Sequence, residues 1–202
     1  MIKKVCILTS RKVGTKCIEF AKKHTSKEIE LVNDMDKADI LLSVMYDKIL
    51  PQRKLNNKKC FNFHPGILPE YRGVGINSWS IINQEVKAGV TLHLMDKGVD
   101  TGDIIEIREI LIKNSETAHS LFLRIENVVY KMFKDWFLDI VAGNYCAVPQ
   151  KNKSGKTYYN KDLQKAKNLT KYARAFTFPG KESAYYYNEK MEKIFLKYTK
   201  ES

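Results

Sequence analysis

The chain has 202 residues, 44 % hydrophobic and 29 % charged, with 35 Lys and Arg against 23 Asp and Glu and a formal charge of +12. That balance excludes a disordered tail and a collagen-like fibre, and no apolar run reaches the roughly 18 residues of a membrane-crossing helix. The length suits one large domain with a full core, and the opening apolar run is too short for a secretory signal, so a soluble, cytoplasmic protein is expected.

Residues 2–9 (IKKVCILT) read as a first strand. Gly14 breaks the chain, and 15–24 fit a short helix with Cys17, Ile18 and Ala21 on one face. A second strand is expected at 28–32 and a turn at 34–37. Residues 38–45 are nearly all apolar, as in a parallel strand buried on both faces. The strand 60–63 then runs into His64-Pro65-Gly66, and this succession predicts a doubly wound α/β sheet.

Further on, 77–83 read as a helix, and 89–95 and 104–112 as strands. The strongest helical signal spans 116–142, where Leu121, Ile125, Val128, Met132, Trp136 and Ile140 recur every three or four positions. Val129, Phe133 and Phe137 widen that face, and Gly143 is placed to end the helix. The face reads as core.

After Pro149 the composition turns to Lys, Asn and Tyr, which predicts a domain over 1–148 and a small, basic, β-rich extension over 149–202. Residues 151–202 carry 13 Lys and Arg against 5 Asp and Glu. A solvated basic face and an anion-binding surface both fit that excess. A short helix is expected at 162–169. Residues 184–200 fit either a hairpin, with strands at 185–187 and 194–198, or a helix over 189–198. Gly155-Lys156-Thr157 looks like the end of a phosphate loop, but that motif needs Gly at position 150, where this chain has Gln150. The cysteines, Cys6, Cys17, Cys60 and Cys146, show no paired spacing, so buried free thiols are expected, with no metal site.

Chemistry concentrates between Asn62 and Gly102. Asn62 and His64 stand two apart at a strand end, so their side chains point the same way. The carboxyl end of a parallel strand is where open α/β sheets place ligands. Asp100 follows a second strand, in a loop flanked by Gly98 and Gly102. An amide, an imidazole and a carboxylate suit acyl transfer to an amine. With no Ser or Cys beside His64, the substrate amine itself would attack a bound acyl donor. Asn62 and a protonated His64 would then face the developing oxyanion, with Asp100 holding the imidazole charged. By spacing alone, a packed structural histidine and a plain turn fit as well.

The motifs Asn62-Phe63-His64-Pro65-Gly66, Leu68-Pro69-Glu70-Tyr71-Arg72-Gly73, Gly89-Val90-Thr91-Leu92-His93 and Asp100-Thr101-Gly102-Asp103 resemble the 10-formyltetrahydrofolate-dependent formyltransferases. The resemblance covers about 38–112. It implies a Rossmann-like α/β fold, with Asn62, His64 and Asp100 as the catalytic amide, imidazole and carboxylate. It also implies a folate pocket built from Tyr46, Ile49 and Leu50 on one side and Asp96, Gly98 and Val99 on the other; core packing of Ile49 and Leu50 fits equally. The Arg72-Gly73 turn resembles the loop that faces the acceptor. Only 61 residues precede Asn62, so the N-terminal half is expected to be shortened.

Three acceptors compete within the family. The 57 residues after Tyr145 are too few for the second domain of the tRNA enzymes. Thr9-Ser10-Arg11-Lys12-Val13-Gly14 is a weak phosphate cradle for glycinamide ribonucleotide, although His93 matches those enzymes. The helix opening at Asn77 and Trp79, with 156–163 and 174–180, resembles the sugar-nucleotide N-formyltransferases. That implies a dTDP- or UDP-linked amino sugar as acceptor, without membrane or nucleic-acid partners. A tail hairpin could pair two subunits into a homodimer. The reading from another class is a non-catalytic relative whose basic tail grips nucleic acid.

Overall fold

The computed structural model describes residues 2–151, 155–165, 173–196 and 198. A six-stranded sheet forms its centre, in the order β2 (Ile29–Leu31), β1 (Lys3–Leu8), β3 (Ile40–Val44), β4 (Lys59–His64), β6 (Lys87–Leu94) and β7 (Ile104–Leu111). The first four positions pair in parallel, whereas β6 and β7 join antiparallel. β5 (Arg72–Gly73) stands apart from it.

Alternation along each strand divides the apolar residues between two faces. Val5, Ile40, Leu42, Val44, Phe61, Phe63, Val90 and Leu92 belong to the main core, which also contains Val13, Cys17 and Ala21 of α1 (Lys12–His24). Over this face lies α4 (Ala118–Ala142), whose Leu121, Ile125, Val129, Met132, Phe133, Phe137 and Ile140 are fully buried. Val128 and Trp136, expected on the same stripe, sit at its margin. A reciprocal capping box between Thr117 and Ser120 starts this helix, and Gly143, at φ +91°, ends it by donating to Asp139 O and Ile140 O.

The other face is covered thinly. Cys6, Leu8, Leu41 and Cys60 form a small cluster with Ala38 and with Leu55 of the one-turn α2 (Gln52–Leu55). The sheet is the expected parallel-dominated, Rossmann-like α/β sheet, with its helices weighted to one side, which leaves room on the other for polar side chains.

The chain beyond 148 returns to the main core. β8 (Thr157–Tyr158) pairs in parallel with β5, and Tyr158, Leu163, Ala175, Phe176 and Ala184 pack in the main core cluster. Tyr158 stacks on Tyr71 at 5.1 Å and lies 5.1 Å from Trp79 of α3 (Ile76–Ile82). A 3₁₀ turn over Asn160–Lys165 replaces the start of the helix expected at 162–169; residues 166–169 lie outside the described residues. β9 (Tyr185–Tyr187) and β10 (Lys193–Phe195) form an antiparallel hairpin, so the helical alternative at 189–198 falls. Cys6, Cys17 and Cys60 are buried thiols as expected, but Cys146 is exposed, because it follows the end of α4 in a segment that no element covers.

Candidate active site

Phe61 and Phe63 point into the helix-covered core, so Asn62 and His64 emerge on the thinly covered face of β4. The antiparallel register sets His93 opposite Asn62 and Thr91 opposite His64. Thr91 Oγ1 donates to Gly66 O at 2.7 Å and accepts from Leu68 N at 3.2 Å, which pins the turn leaving His64. Gly66 is required there, because a Cβ would lie 2.6 Å from His64 Nε2.

Asp100 completes the group. Its backbone is left-handed, at φ +53°, and its loop folds back over the sheet. Asn62 Nδ2 donates to Asp100 Oδ1 and to His93 Nε2, both at 3.2 Å. His93 Nδ1 lies 2.6 Å from Leu94 O, so that nitrogen carries the proton and Nε2 accepts. Asp100 Oδ2 accepts from Gly73 N at 2.9 Å. His64 Nε2 donates to Tyr71 O at 2.6 Å, leaving Nδ1 3.5 Å from Asp100 Oδ2.

Burial alone would raise the Asp100 carboxyl, but the attraction of His64 and His93 when they carry a proton, together with the Gly73 amide, outweighs it. The group is held well below the usual carboxylate range. His64 is 3 % exposed, and burial pushes its pKa down; Asp100 and the Tyr71 carbonyl oppose this only in part, and His93 adds to it. Burial thus works against the charged His64 expected from the sequence, because the buried ring loses more solvation than one carboxylate 3.5 Å away restores. A bare Nδ1 next to an anion is a proton acceptor, and the half-buried Asn62 amide is a donor to oxygen.

The remaining expected site residues are placed unevenly. Tyr46 and Leu50 pack with Met95 on the small cluster, so the two segments assigned to folate start from one apolar patch. Ile49 is 86 % and Val99 41 % exposed, which excludes core packing for Ile49. Asp96 accepts from Gly98 N and Thr101 Oγ1, at 3.0 and 2.6 Å, and so shapes the loop that carries Gly98. Arg72 does not face outward: it is 2 % exposed, with Nη2 2.6 Å from Gln150 Oε1. Trp79 is buried too, donating to Tyr159 O at 3.3 Å, because the chain after 148 closes over both. Asn77 keeps a buried Oδ1 with no hydrogen-bond partner among the described residues.

The sequence reading left two neighbours out of the site. His93 sits in the Gly89–His93 motif, but only the strand register brings it beside Asn62. Gln150 carried no signal beyond standing where a phosphate loop would need Gly.

The sheet carries an amide, two imidazoles and a carboxylate on one face, and among the described residues no nucleophilic side chain is hydrogen-bonded to either imidazole. The chain belongs to the formyl transferase family, which matches residues 8–135. It is 37 % identical over 149 residues to the methionyl-tRNA formyltransferase of Alkaliphilus oremlandii (strain OhILAs), covering 70 % of this chain and 48 % of that protein. The chain thus spans about half the length of the curated relatives it matches. Its fold is similar to that of a sugar N-formyltransferase from Shewanella sp. FDAARGOS_354, with a TM-score of 0.86 at 20 % identity over 100 % of this chain and 99 % of the other. It is also similar to the N-formyltransferase from Helicobacter canadensis solved with folinic acid and dTDP-3-aminofucose, at 25 % identity and a TM-score of 0.75 over 88 % of this chain and 81 % of that one.

Proposed function

We propose that this protein transfers the formyl group of 10-formyltetrahydrofolate to the amine of a nucleotide-linked amino sugar, with Asn62, His64 and Asp100 as its catalytic groups. The observation that carries the reading is the convergence of Asn62, His64, His93 and Asp100, with His64 Nδ1 3.5 Å from Asp100 Oδ2. The exposed Ile49 and Val99 and the patch of Tyr46, Leu50 and Met95 fit a flat, largely apolar donor. Tyr46, Ile49, Leu50, Asp96, Gly98 and Val99 would hold it. Bound 10-formyltetrahydrofolate supplies an activated formyl carbon. Asn62 Nδ2, whose two hydrogens face His93 and Asp100 here, acts as an oxyanion donor once a bound substrate oxygen replaces one of those partners. His64 Nδ1 takes the proton that an attacking amine loses and would return it to the folate nitrogen that departs as its bond to the formyl carbon breaks, while Asp100 stabilises the imidazolium between the two transfers.

The sugar acceptor is supported by the Helicobacter canadensis likeness and by the tail's chemistry. Tyr159 is 45 % exposed, with Lys161 5.4 Å from its ring, and Lys156 lies 5.5 Å from Trp79. Aromatic rings suit a nucleotide base and lysines a pyrophosphate. The unpartnered Asn77 Oδ1 suits a sugar hydroxyl or amine, next to the Arg72–Gly73 turn. A second reading, methionyl-tRNA as acceptor, rests on the Alkaliphilus likeness. The hairpin of β9 and β10 exposes Tyr186, Tyr187 and Phe195, which suits pairing of two copies and is tested by light scattering.

The test is turnover with 10-formyltetrahydrofolate and a panel of dTDP-, UDP- and GDP-linked amino sugars, with glycinamide ribonucleotide and methionyl-tRNA alongside. A formylated sugar nucleotide, seen by mass spectrometry, is the expected product. Product on methionyl-tRNA or glycinamide ribonucleotide alone overturns the sugar reading and leaves the chemistry standing. No product on any acceptor overturns both.

A further inference from the structure

We infer that Gln150 is a positioning residue, which holds the Asp100 loop in its working conformation through three hydrogen bonds reaching two separate segments. It lies 50 residues beyond Asp100 in sequence, and its side chain is buried. Nε2 donates to Asp100 O at 2.9 Å and to Gly102 O at 2.8 Å, while Oε1 accepts from Arg72 Nη2 at 2.6 Å. Both amide hydrogens and the amide oxygen are engaged.

These bonds close a circuit. Arg72 is covalently joined to Gly73, whose N–H donates to Asp100 Oδ2 at 2.9 Å. Asp100 is therefore gripped at its backbone carbonyl by Gln150 and at its carboxylate by Gly73, and Gln150 ties the two grips together through Arg72. The loop needs such a grip. Asp100 occupies left-handed backbone at φ +53°, a conformation that is strained for a non-glycine residue. Gly102 lies so close to β6 that a Cβ there would meet Leu94 O at 1.9 Å. The amide of Gln150 satisfies carbonyls on both sides of this strained corner, and no water is needed to do so.

The charged and titratable groups facing the Asp100 carboxylate are His64 on β4 and His93 on β6, with the Arg72 guanidinium of β5 held one bond away on Gln150. Loosening the corner moves the carboxylate away from both imidazoles and from the Gly73 amide. A misplacement of about 1 Å at a reacting group costs on the order of a hundredfold in rate.

The activity arm rests on the formyl-transfer reading; a second arm does not. Two variants separate the roles of the amide. Gln150→Glu keeps the partner of Arg72 but loses both donors, and Gln150→Met keeps the volume and loses all three bonds. With the acceptor that the wild type uses, both are expected to lower kcat about a hundredfold, with KM for the folate changed less than threefold. The acid limb of the pH–rate profile, which His64 sets, should move downward in Gln150→Met, because an Asp100 carboxylate drawn away no longer favours the imidazolium. Independently of turnover, carbon NMR of the Asp100 carboxyl should show its own pKa moving up toward that of an ordinary carboxylate in each folded variant. In the wild-type chain, the Gln150 side-chain amide protons should exchange slowly with solvent, which tests the bonds even if a variant does not fold. Gln150→Met with wild-type kcat and an unmoved profile overturns the inference, as do Gln150 amide protons that exchange at the free-amide rate. A wild type silent on every acceptor defeats the formyl-transfer reading alone and leaves the NMR arm to decide the role of Gln150.

Discussion

Asn62 and His93 face each other across β4 and β6, with the amide Nδ2 3.2 Å from the imidazole Nε2. The same nitrogen donates to Asp100 Oδ1, so His93 decides how the amide is turned as well as what it touches. His93 Nδ1 is committed to Leu94 O, which fixes the accepting face of the ring toward Asn62.

That coupling predicts a non-additive pair. Asn62→Ala should lower kcat about 10²–10³-fold, the usual loss for an oxyanion donor. His93→Ala should cost less, because it acts through Asn62. The double variant should be no worse than Asn62→Ala within about threefold. Losses that multiply in the double variant would make the two residues independent.

The electrostatics of His64 and Asp100 give a pH dependence with a fixed sign. Burial holds the His64 pKa below its unfolded value of about 6.5, so the unfolded chain binds the proton first. Stability is then full above about pH 6.5 and falls as the pH drops toward the folded pKa. Asp100, depressed as well, contributes stability that is full above about pH 4 and lost below it. Urea unfolding from pH 4.5 to 8 should show the first slope in the wild type and a flatter one in His64→Gln. Turnover should fall over the same range, because only neutral His64 accepts a proton. A stability profile that His64→Gln leaves unchanged would argue for a resting imidazolium.

Gly73 joins the site to the chain after 148. Its φ is +91°, and a Cβ would lie 2.3 Å from Tyr158 O on the paired strand. Gly73→Ala carries the left-handed cost of about 1–2 kcal/mol and also pushes β5 from β8. Its amide would then leave Asp100. Melting temperature and kcat should both drop; a variant that melts normally and turns over normally would show that β5 can shift without harm.

Thr117 provides the contrasting case, since its capping box starts α4 far from Asp100 in the fold's helical layer. Thr117→Ala should lose about 1 kcal/mol of stability, read from denaturant unfolding. Turnover below the melting transition should be unchanged. A loss of kcat without a loss of stability would mean that α4 reaches the site.

The elements of the fold were legible in the sequence where burial leaves a pattern along the chain. The stripe of α4 and its Gly143 stop follow from helical periodicity, and the uniform burial of β3 follows from its nearly all-apolar run. The short strands of the tail were less so: β8 and β9 are two and three residues long, and a helix fitted the hairpin segment nearly as well. Arg72 and Trp79 were expected to face the acceptor because the turn and the helix opening that carry them resemble the family's acceptor-side segments; their burial depends on a strand that arrives more than 75 residues later.

What the sequence determined by itself is local: alternation puts Asn62 and His64 on one face of β4, glycines allow the turns at Gly66 and Gly102, and the ordered motifs carry the family. The tertiary structure decided what those residues are chemically. Strand register supplied His93, loop closure brought Asp100 within 3.5 Å of His64, and the returning chain locked both through Gln150. Burial then pushed the His64 pKa down where the sequence alone suggested a charge. The reason is physical: periodicity is set by neighbours along the chain, whereas solvation and charge are set by whatever arrives across space.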